Sequence, residues 1–198
     1  EDIVFADFET NDWGAWSASG AAFEGGPFPV SSLAKFHRLK NVSGQHMANS
    51  LNTRVDANPA GSDNLTGTLT SPEFTIERNY IRMLIAGGKK PDACFVELLV
   101  DGKSVAKLTG DDSTVMKEQR MDVSAYQGQR AVLRLVDQAV GGWAHIVADR
   151  IVFSDRPATD SKRLEATRGY GSSALSVLSD SGVRVTGASA LKDPDSPE

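Results

Sequence analysis

Cysteine is nearly absent from this chain. Cys94 stands alone among 198 residues, so no internal disulfide forms and no Cys-x-x-Cys metal or redox pair exists. Histidine is almost as scarce: His37, His46 and His145 are scattered and none falls in the His-Glu-x-x-His spacing of a zinc hydrolase. The chain has no Gly-x-Ser-x-Gly elbow, Walker loop or dinucleotide fingerprint. Gly169-Tyr170-Gly171-Ser172-Ser173 is glycine-rich but lacks the phosphate-loop lysine, and reads as linker. Acidic pairs are numerous, yet nothing selects one as a glycosidase pair. A non-enzymatic protein is expected. No apolar run approaches the roughly 20 residues that span a bilayer. With a net charge of −5 and no clustered basic surface, nucleic acid is not the expected partner. An initiating methionine is also missing: the sequence starts at Glu1-Asp2, as a processed protein does, and a secreted, extracellular or periplasmic location is expected.

What remains is the composition of a folded protein. Hydrophobic residues make up 40% and charged ones 24%, so most of the chain should bury a core rather than stay disordered. Short β-branched or aromatic runs recur between Gly, Pro, Asn and Asp clusters, the all-β pattern. Strands are predicted at 3–8, 15–19, 46–50, 67–71, 80–86, 94–100, 104–109, 119–122, 130–137 and 146–153. Cys94 falls inside one of them as a small buried hydrophobe. The Asp101-Gly102 dipeptide favours a tight hairpin joining its two flanking strands, and a short helical turn is predicted at 124–127. About ten such strands read as an antiparallel β-sandwich of jelly-roll, concanavalin- or galactose-binding-like type. The long segment 24–45 and the polar segment 52–66 read as loops, the first functional or mobile. The sandwich is assigned to residues 1–155. The remainder, 156–198, reads as a linker or extension with a short hairpin at 174–186 and a disordered end.

The stretch Gly141-Gly142-Trp143-Ala144-His145 is a turn carrying an aromatic and a histidine, and it leads into the last predicted strand. On that strand period-two alternation puts Asp149 on one face with Val147, Ile151 and Phe153. A carboxylate among apolar neighbours needs a cation or several donors. A structural calcium held by Asp7, Glu9 and Asp149 is one reading, because calcium takes six to eight oxygens, including carbonyls. Capping of backbone amides, or pairing with an arginine, is the other. A polar patch is read on one sheet face: Ile81, Met83 and Ile85 point inward and leave Arg82 outward. Likewise Ala131, Leu133 and Leu135 leave Arg134 outward, and Glu97 lies opposite Cys94, Val96 and Leu98. Arg82, Glu97, Arg134, Trp143 and His145 are the residue types that bind sugars, planar polar groups with an aromatic. They equally fit solvated arginines and a packing tryptophan. Of the other tryptophans, Trp16 reads as core and Trp13 as either surface platform or edge packing.

Several ordered blocks carry a resemblance. Phe5-Ala6-Asp7-Phe8-Glu9, Trp16, Asn49-Ser50, Gly67 to Ile76 with Ser71-Pro72, Ile85-Ala86-Gly87-Gly88, Leu98 to Lys103, Met121 to Ser124 and Gly141 to Ile146 with Asp149 are similar to the sandwich module of bacterial levanases and related family 32 glycoside hydrolases. The layout is also similar to MAM domains. The likeness covers about residues 3–154 and none of the five-bladed catalytic domain. It implies a carbohydrate-binding module of fructan-binding type, with Asp137 joining Arg82, Glu97 and Arg134 on the sugar hydroxyls and Trp143 and His145 closing one side. Ala144 departs from the pattern, which has glycine there, and a changed loop is expected. The alternatives are a structural or interaction module contacting a neighbouring extracellular protein, with oligomerisation, and the front part of a larger glycoside hydrolase.

Overall fold

A computed structural model describes residues 1–157 and two strands further on. Contacts divide the chain into two units, Glu1–Ala158 and Thr159–Glu198. In the second, the antiparallel hairpin Leu175–Ser179 and Gly182–Val185 is described. Of the extension expected over 156–198, the rest of the linker from 158 onward and the end at 192–198 lie outside the described residues.

The first unit is the antiparallel β-sandwich that the strand pattern predicts. Its strands are β1 Ile3–Ala6, β2 Ser17–Gly20, β3 Phe28–Pro29, β4 His46–Asn49, β5 Gly67–Thr70, β6 Phe74–Thr75, β7 Tyr80–Gly87, β8 Cys94–Val100, β9 Lys103–Leu108, β10 Ser113–Asp122, β11 Arg130–Asp137 and β12 Ile146–Ser154. One sheet runs β10-β7-β12-β4-β3 with β1 also on β12; the other runs β2-β5-β11-β8-β9 with β6 also on β11. The two-residue strands β3 and β6 have no sequence signal because two residues show no alternation. Val100 pairs with Lys103 across Asp101-Gly102, both at positive φ, which is the tight hairpin turn those residues favour.

Period-two alternation fills the space between the sheets. Ile81, Met83 and Ile85 of β7 meet Val96, Leu98, Leu133 and Leu135 of β8 and β11 in one buried cluster. Cys94 belongs to it, and burial pushes its thiol pKa up, as suits a small hydrophobe rather than a nucleophile. Trp16 and Trp13 both pack against this core, and the Trp13 indole N–H donates to the Phe23 carbonyl at 2.9 Å, so Trp13 is edge packing.

The outer face of the β7 sheet is covered as well. Phe28, Met47, Ala86, Met116 and Val147 form a second buried cluster, with Val30, Leu33, Leu39 and Val42 of the long loop packed on it. Lys40 stitches that loop to β10: its N–H donates to Thr114 and its carbonyl accepts from Met116, each at 2.9 Å. Arg54 holds the loop's start by donating to the carbonyls of Glu24, Gly25, Gly26 and Pro27. The segment 24–45 is thus a lid over a sheet face with its own small core.

The expected neighbours of Asp149 are corrected by a β-bulge. Asp149 pairs with Leu84, but Val152 rather than Ile151 pairs with Arg82, so β12 carries one extra residue, and Arg150 there has φ 48°. One inserted residue reverses the alternation. Asp149 therefore shares the outer face with Val147, whereas Ile151 and Phe153 join Ile146 and Ala148 in the inter-sheet core.

Candidate functional site

A cleft of about 260 Å³ opens at one end of the sandwich, lined by Phe36, His37, Asp63, Thr114, Trp143 and His145. Leu51 and Pro59 add apolar wall. Three segments supply most of it, and Thr114 of β10 with Leu51 just after β4 completes the wall. Asp63 is positioned by the turn of helix α1, Pro59–Ser62, whose N-cap Asn58 accepts from Ala60 N–H and whose first position is proline. Next to it, Asn64 Oδ1 accepts from Gly141 N–H at 2.8 Å, which ties this helix to the turn before β12. The lid supplies Phe36 and His37, with the His37 N–H donating to Ala34 at 2.9 Å.

Trp143 sits at φ 59°, a left-handed conformation that is costly for a bulky residue and concentrates at functional sites. The residue is 37% exposed and its ring stacks on His145 at 5.7 Å between centroids. The His145 imidazole Nδ1 lies 2.6 Å from Asp63 Oδ1, and the ring meets His37 edge-on at 4.6 Å. Both histidines are buried, and each has a buried Nε2 with no hydrogen-bond partner. Burial, helped by the neighbouring His145, pushes the His37 pKa down to about 3, so this ring is neutral at physiological pH. Ala144 is fully buried in the main core and has ordinary φ. The left-handed positions of this turn are Gly141 and Trp143, so the departure from glycine at 144 does not by itself bend the loop.

The expected single polar patch does not form; the predicted sugar-contacting residues occupy four places. Arg82 is on the β7 sheet, where it meets Glu118 at 2.8 Å and Asp2 at 3.5 Å. Glu97 and Arg134 face each other across β8 and β11 on the other sheet, with Arg134 Nε donating to Glu97 Oε1 at 2.8 Å. Since both point away from the common core, the two sets lie on opposite outer sides. Asp137 has the inward parity of Leu133 and Leu135 and is fully buried, so it is not on the Arg134 face at all. Burial pushes its pKa up to about 7. Trp143 and His145 are brought together, and with residues the sequence does not single out: Phe36, His37 and Asp63 come from loops whose meeting depends on long-range anchors.

Asp7, Glu9 and Asp149 are near one another. Glu9 accepts from the N–H groups of Gln45 and His46 at 2.9 to 3.1 Å. Asp149, fully buried, accepts from Ser43 at 3.1 Å and Arg150 at 2.6 Å, and Asp7 accepts from Glu9 N–H at 3.2 Å. Burial, with added repulsion from Glu9 and Asp7, pushes the Asp149 pKa up to about 7. As the side chains stand, no three His, Cys, Asp or Glu among the described residues are grouped to hold a metal.

No protein-family profile matches the chain. Over 161 residues it is 32% identical to ecdE of Aspergillus rugulosus, described as a glycosyl hydrolase, an alignment that covers 80% of this chain and 22% of that protein. The chain thus spans about a fifth of the length of this curated relative. Among the described residues no helix is long and apolar enough to cross a membrane. Of solved structures, a carbohydrate-binding module, TmCBM61 in complex with β-1,4-galactotriose, covers 75% of this chain and 94% of its own at 13% identity and TM-score 0.45. The K2 cleaved adhesin domain of Lys-gingipain is similar over 78% of this chain and 99% of that domain, with 14% identity and TM-score 0.51. At that identity the likeness to the adhesin domain is one of fold, and the fold is an antiparallel β-sandwich.

Proposed function

We propose that this chain is a non-catalytic glycan-binding module that acts outside the cell and holds its sugar in the cleft at Trp143. One observation carries the reading: an exposed indole in a costly backbone conformation borders a cleft whose walls combine aromatic rings with a few convergent polar groups. An aromatic face takes the C–H side of a sugar ring, and Asp63 and Thr114 offer hydrogen-bond partners for hydroxyls. Asp63 orients His145 as it would orient a general base. The His145 ring is nevertheless stacked under Trp143 and held edge-on against His37, which favours binding over proton transfer. The similarity to part of a protein described as a glycosyl hydrolase supports a module that works within a larger glycan-active protein. Fructan is the first ligand to test, on the family 32 resemblance.

Isothermal titration of the purified chain against levan, inulin and an array of other glycans tests this. Binding with Kd in the micromolar-to-millimolar range is expected, and Trp143→Ala should weaken it at least about tenfold, the loss of one stacking aromatic. Failure of every glycan to bind ends the reading. Arg134 is a separate candidate contact on the outer sheet face, with buried Glu97 as the ion-pair partner that holds it. Arg134→Ala is expected to leave cleft binding unchanged.

Calcium is proposed at Asp7, Glu9 and Asp149, where it would tie the first strand to the last. Two features fit a cation there. Asp149 is a fully buried carboxylate with no ion pair among the described residues, and two further carboxylates repel it. Gly44, at φ +74°, gives the Glu9 carboxylate room that a Cβ would fill. Excess calcium at about pH 7.5 is expected to stabilise the chain by about 2–3 kcal/mol at a hundredfold excess over Kd. EDTA should reverse this, and Asp149→Asn should remove the response. An unchanged melting temperature with calcium would refute the site.

A protein-contact module is the second reading, favoured by the exposure of Phe36 and Val140, 50% and 63%, on segments that flank the cleft. Light scattering of the purified chain separates the two, since a self-contact through these residues requires an oligomer.

A further inference from the structure

We infer that the Trp143 cleft selects a sugar bearing a protonated amine, a 2-amino-2-deoxyhexose unit, over its neutral and acidic counterparts. This rests on the glycan-binding reading above and adds the charge of the ligand to it.

The lining of the cleft is electrostatically one-sided. Asp63 is its carboxylate, and no lysine or arginine lines it. Lys35, Arg38 and Lys40 flank His37 in sequence, yet none of them reaches the wall. His37 adds no positive charge at physiological pH, because burial keeps it neutral. The remaining walls are rings: Trp143 and Phe36 at the exposed rim, 37% and 50% accessible, with the two imidazoles beneath. The negative faces of aromatic rings attract an organic cation, and a nearby carboxylate supplies the counter-charge. A uronic acid or sulfated sugar meets the same carboxylate as a repulsion, and no lysine or arginine in the lining offsets it.

A second observation points to a ligand with several donors. The Nε2 atoms of His37 and His145 are buried without partners, on side chains that are 3% and 4% exposed. With Nδ1 of His145 directed at Asp63, the neutral tautomer that carries its hydrogen on Nδ1 presents Nε2 as an acceptor. Buried polar atoms in folded proteins are nearly always satisfied, by protein, water or ligand. An ammonium group with three donors, or the hydroxyl beside it, is suited to such a set, whereas an N-acetyl group replaces the charge and offers a single N–H.

The test compares three matched ligands on the intact chain: glucosamine oligomers, their N-acetylated forms and a uronic-acid oligomer, at about pH 5.5, where an amine weakened by neighbouring oxygens is protonated and the uronate is ionised. The amine form is expected to bind about tenfold more tightly than the N-acetyl form, with the uronate weakest. Raising the salt concentration should reduce the preference. Asp63→Asn keeps an oxygen to accept from His145 and removes the charge, so the amine-to-acetyl ratio should fall towards one. Equal binding of amine and N-acetyl forms, tighter binding of the uronate, or a ratio unchanged in Asp63→Asn overturns the inference while glycan binding stands. If none of these three binds the wild-type chain, the inference fails, while the glycan-binding reading stands or falls on levan, inulin and the wider array. The wild-type comparison does not depend on the variant folding.

Discussion

Gly88→Ala is expected to empty the cleft of its tryptophan and to destabilise the sandwich by about 2–3 kcal/mol, the cost of overpacking against atoms that cannot move aside. Gly88 follows β7, and its N–H donates to the His145 carbonyl at 2.9 Å. A Cβ at this position would meet the backbone carbonyl oxygen of Trp143 far inside contact distance. That obstacle is main chain, held on one side by the Gly141–Asn64 bond and on the other by β12 pairing. The 141–144 turn must therefore shift, and Trp143 with it. Chemical denaturation measures the stability loss, and the indole N–H resonance of Trp143 reports the displacement without reference to any ligand. A variant with wild-type stability and an unmoved Trp143 resonance would show that Gly88 does not position the turn. Gly102→Ala is the control: a Cβ there meets nothing within 4 Å, so the cost is confined to its positive φ and the cleft is untouched.

The second large effect is a pH dependence of stability that runs opposite to the usual one. Burial raises the Asp137 pKa from 3.8 to about 7. Between those values the folded chain holds a proton that the unfolded chain has released, so stability falls as pH rises through this window and levels off above it. Asp149 has the same sign and the same window in the absence of a cation. Buried His37 acts in the opposite sense below about pH 6.5, but two carboxylates outweigh one imidazole, so in EDTA urea denaturation should still give a less stable protein at about pH 8 than at about pH 5. Asp137 Oδ2 is buried without a hydrogen-bond partner, with the Ser50 hydroxyl and the Cys94 thiol as its polar neighbours. Asp137→Asn removes the buried charge and turns that oxygen into a donor. It is expected to stabilise the protein by about 2–4 kcal/mol at the higher pH and to flatten the profile. A wild-type protein more stable at the higher pH, or a variant destabilised at both, would contradict this. Calcium should oppose the Asp149 share only, since Asp137 is not among the proposed ligands.

Much of the fold is legible along the chain because the β period is short and local. The inward sets Ile81, Met83, Ile85 and Ala131, Leu133, Leu135 follow from alternation, and they are buried. The Asp101-Gly102 hairpin follows from two residues that tolerate positive φ. Trp143 and His145 can be picked out because a Gly-Gly turn carrying two ring side chains is an unusual local feature. Their partners cannot. His37 lies in a lid with no periodicity, and Asp63 ends a four-residue helix that has no hydrophobic pattern. The contacts that bring both to Trp143, Lys40 on Thr114 and Gly141 on Asn64, each span more than 70 residues.

Where a residue faces depends first on parity, and parity is a property of the sequence until a bulge interrupts it. Arg134 and Glu97 are assigned correctly for that reason. Asp149 is not, because one extra residue at Arg150 moves it from the company of Ile151 and Phe153 to that of Val147. Which sheet a strand joins is a separate matter. Arg82 and Arg134 have equivalent patterns, but β7 and β11 lie in different sheets, so two arginines that look like one patch point to opposite sides. Hydrophobic alternation specifies an inside and an outside for every strand. Pairing between distant strands, and the insertion of one residue into a ladder, come from contacts that form only when the whole sandwich closes, and these decide what the outside of each strand meets.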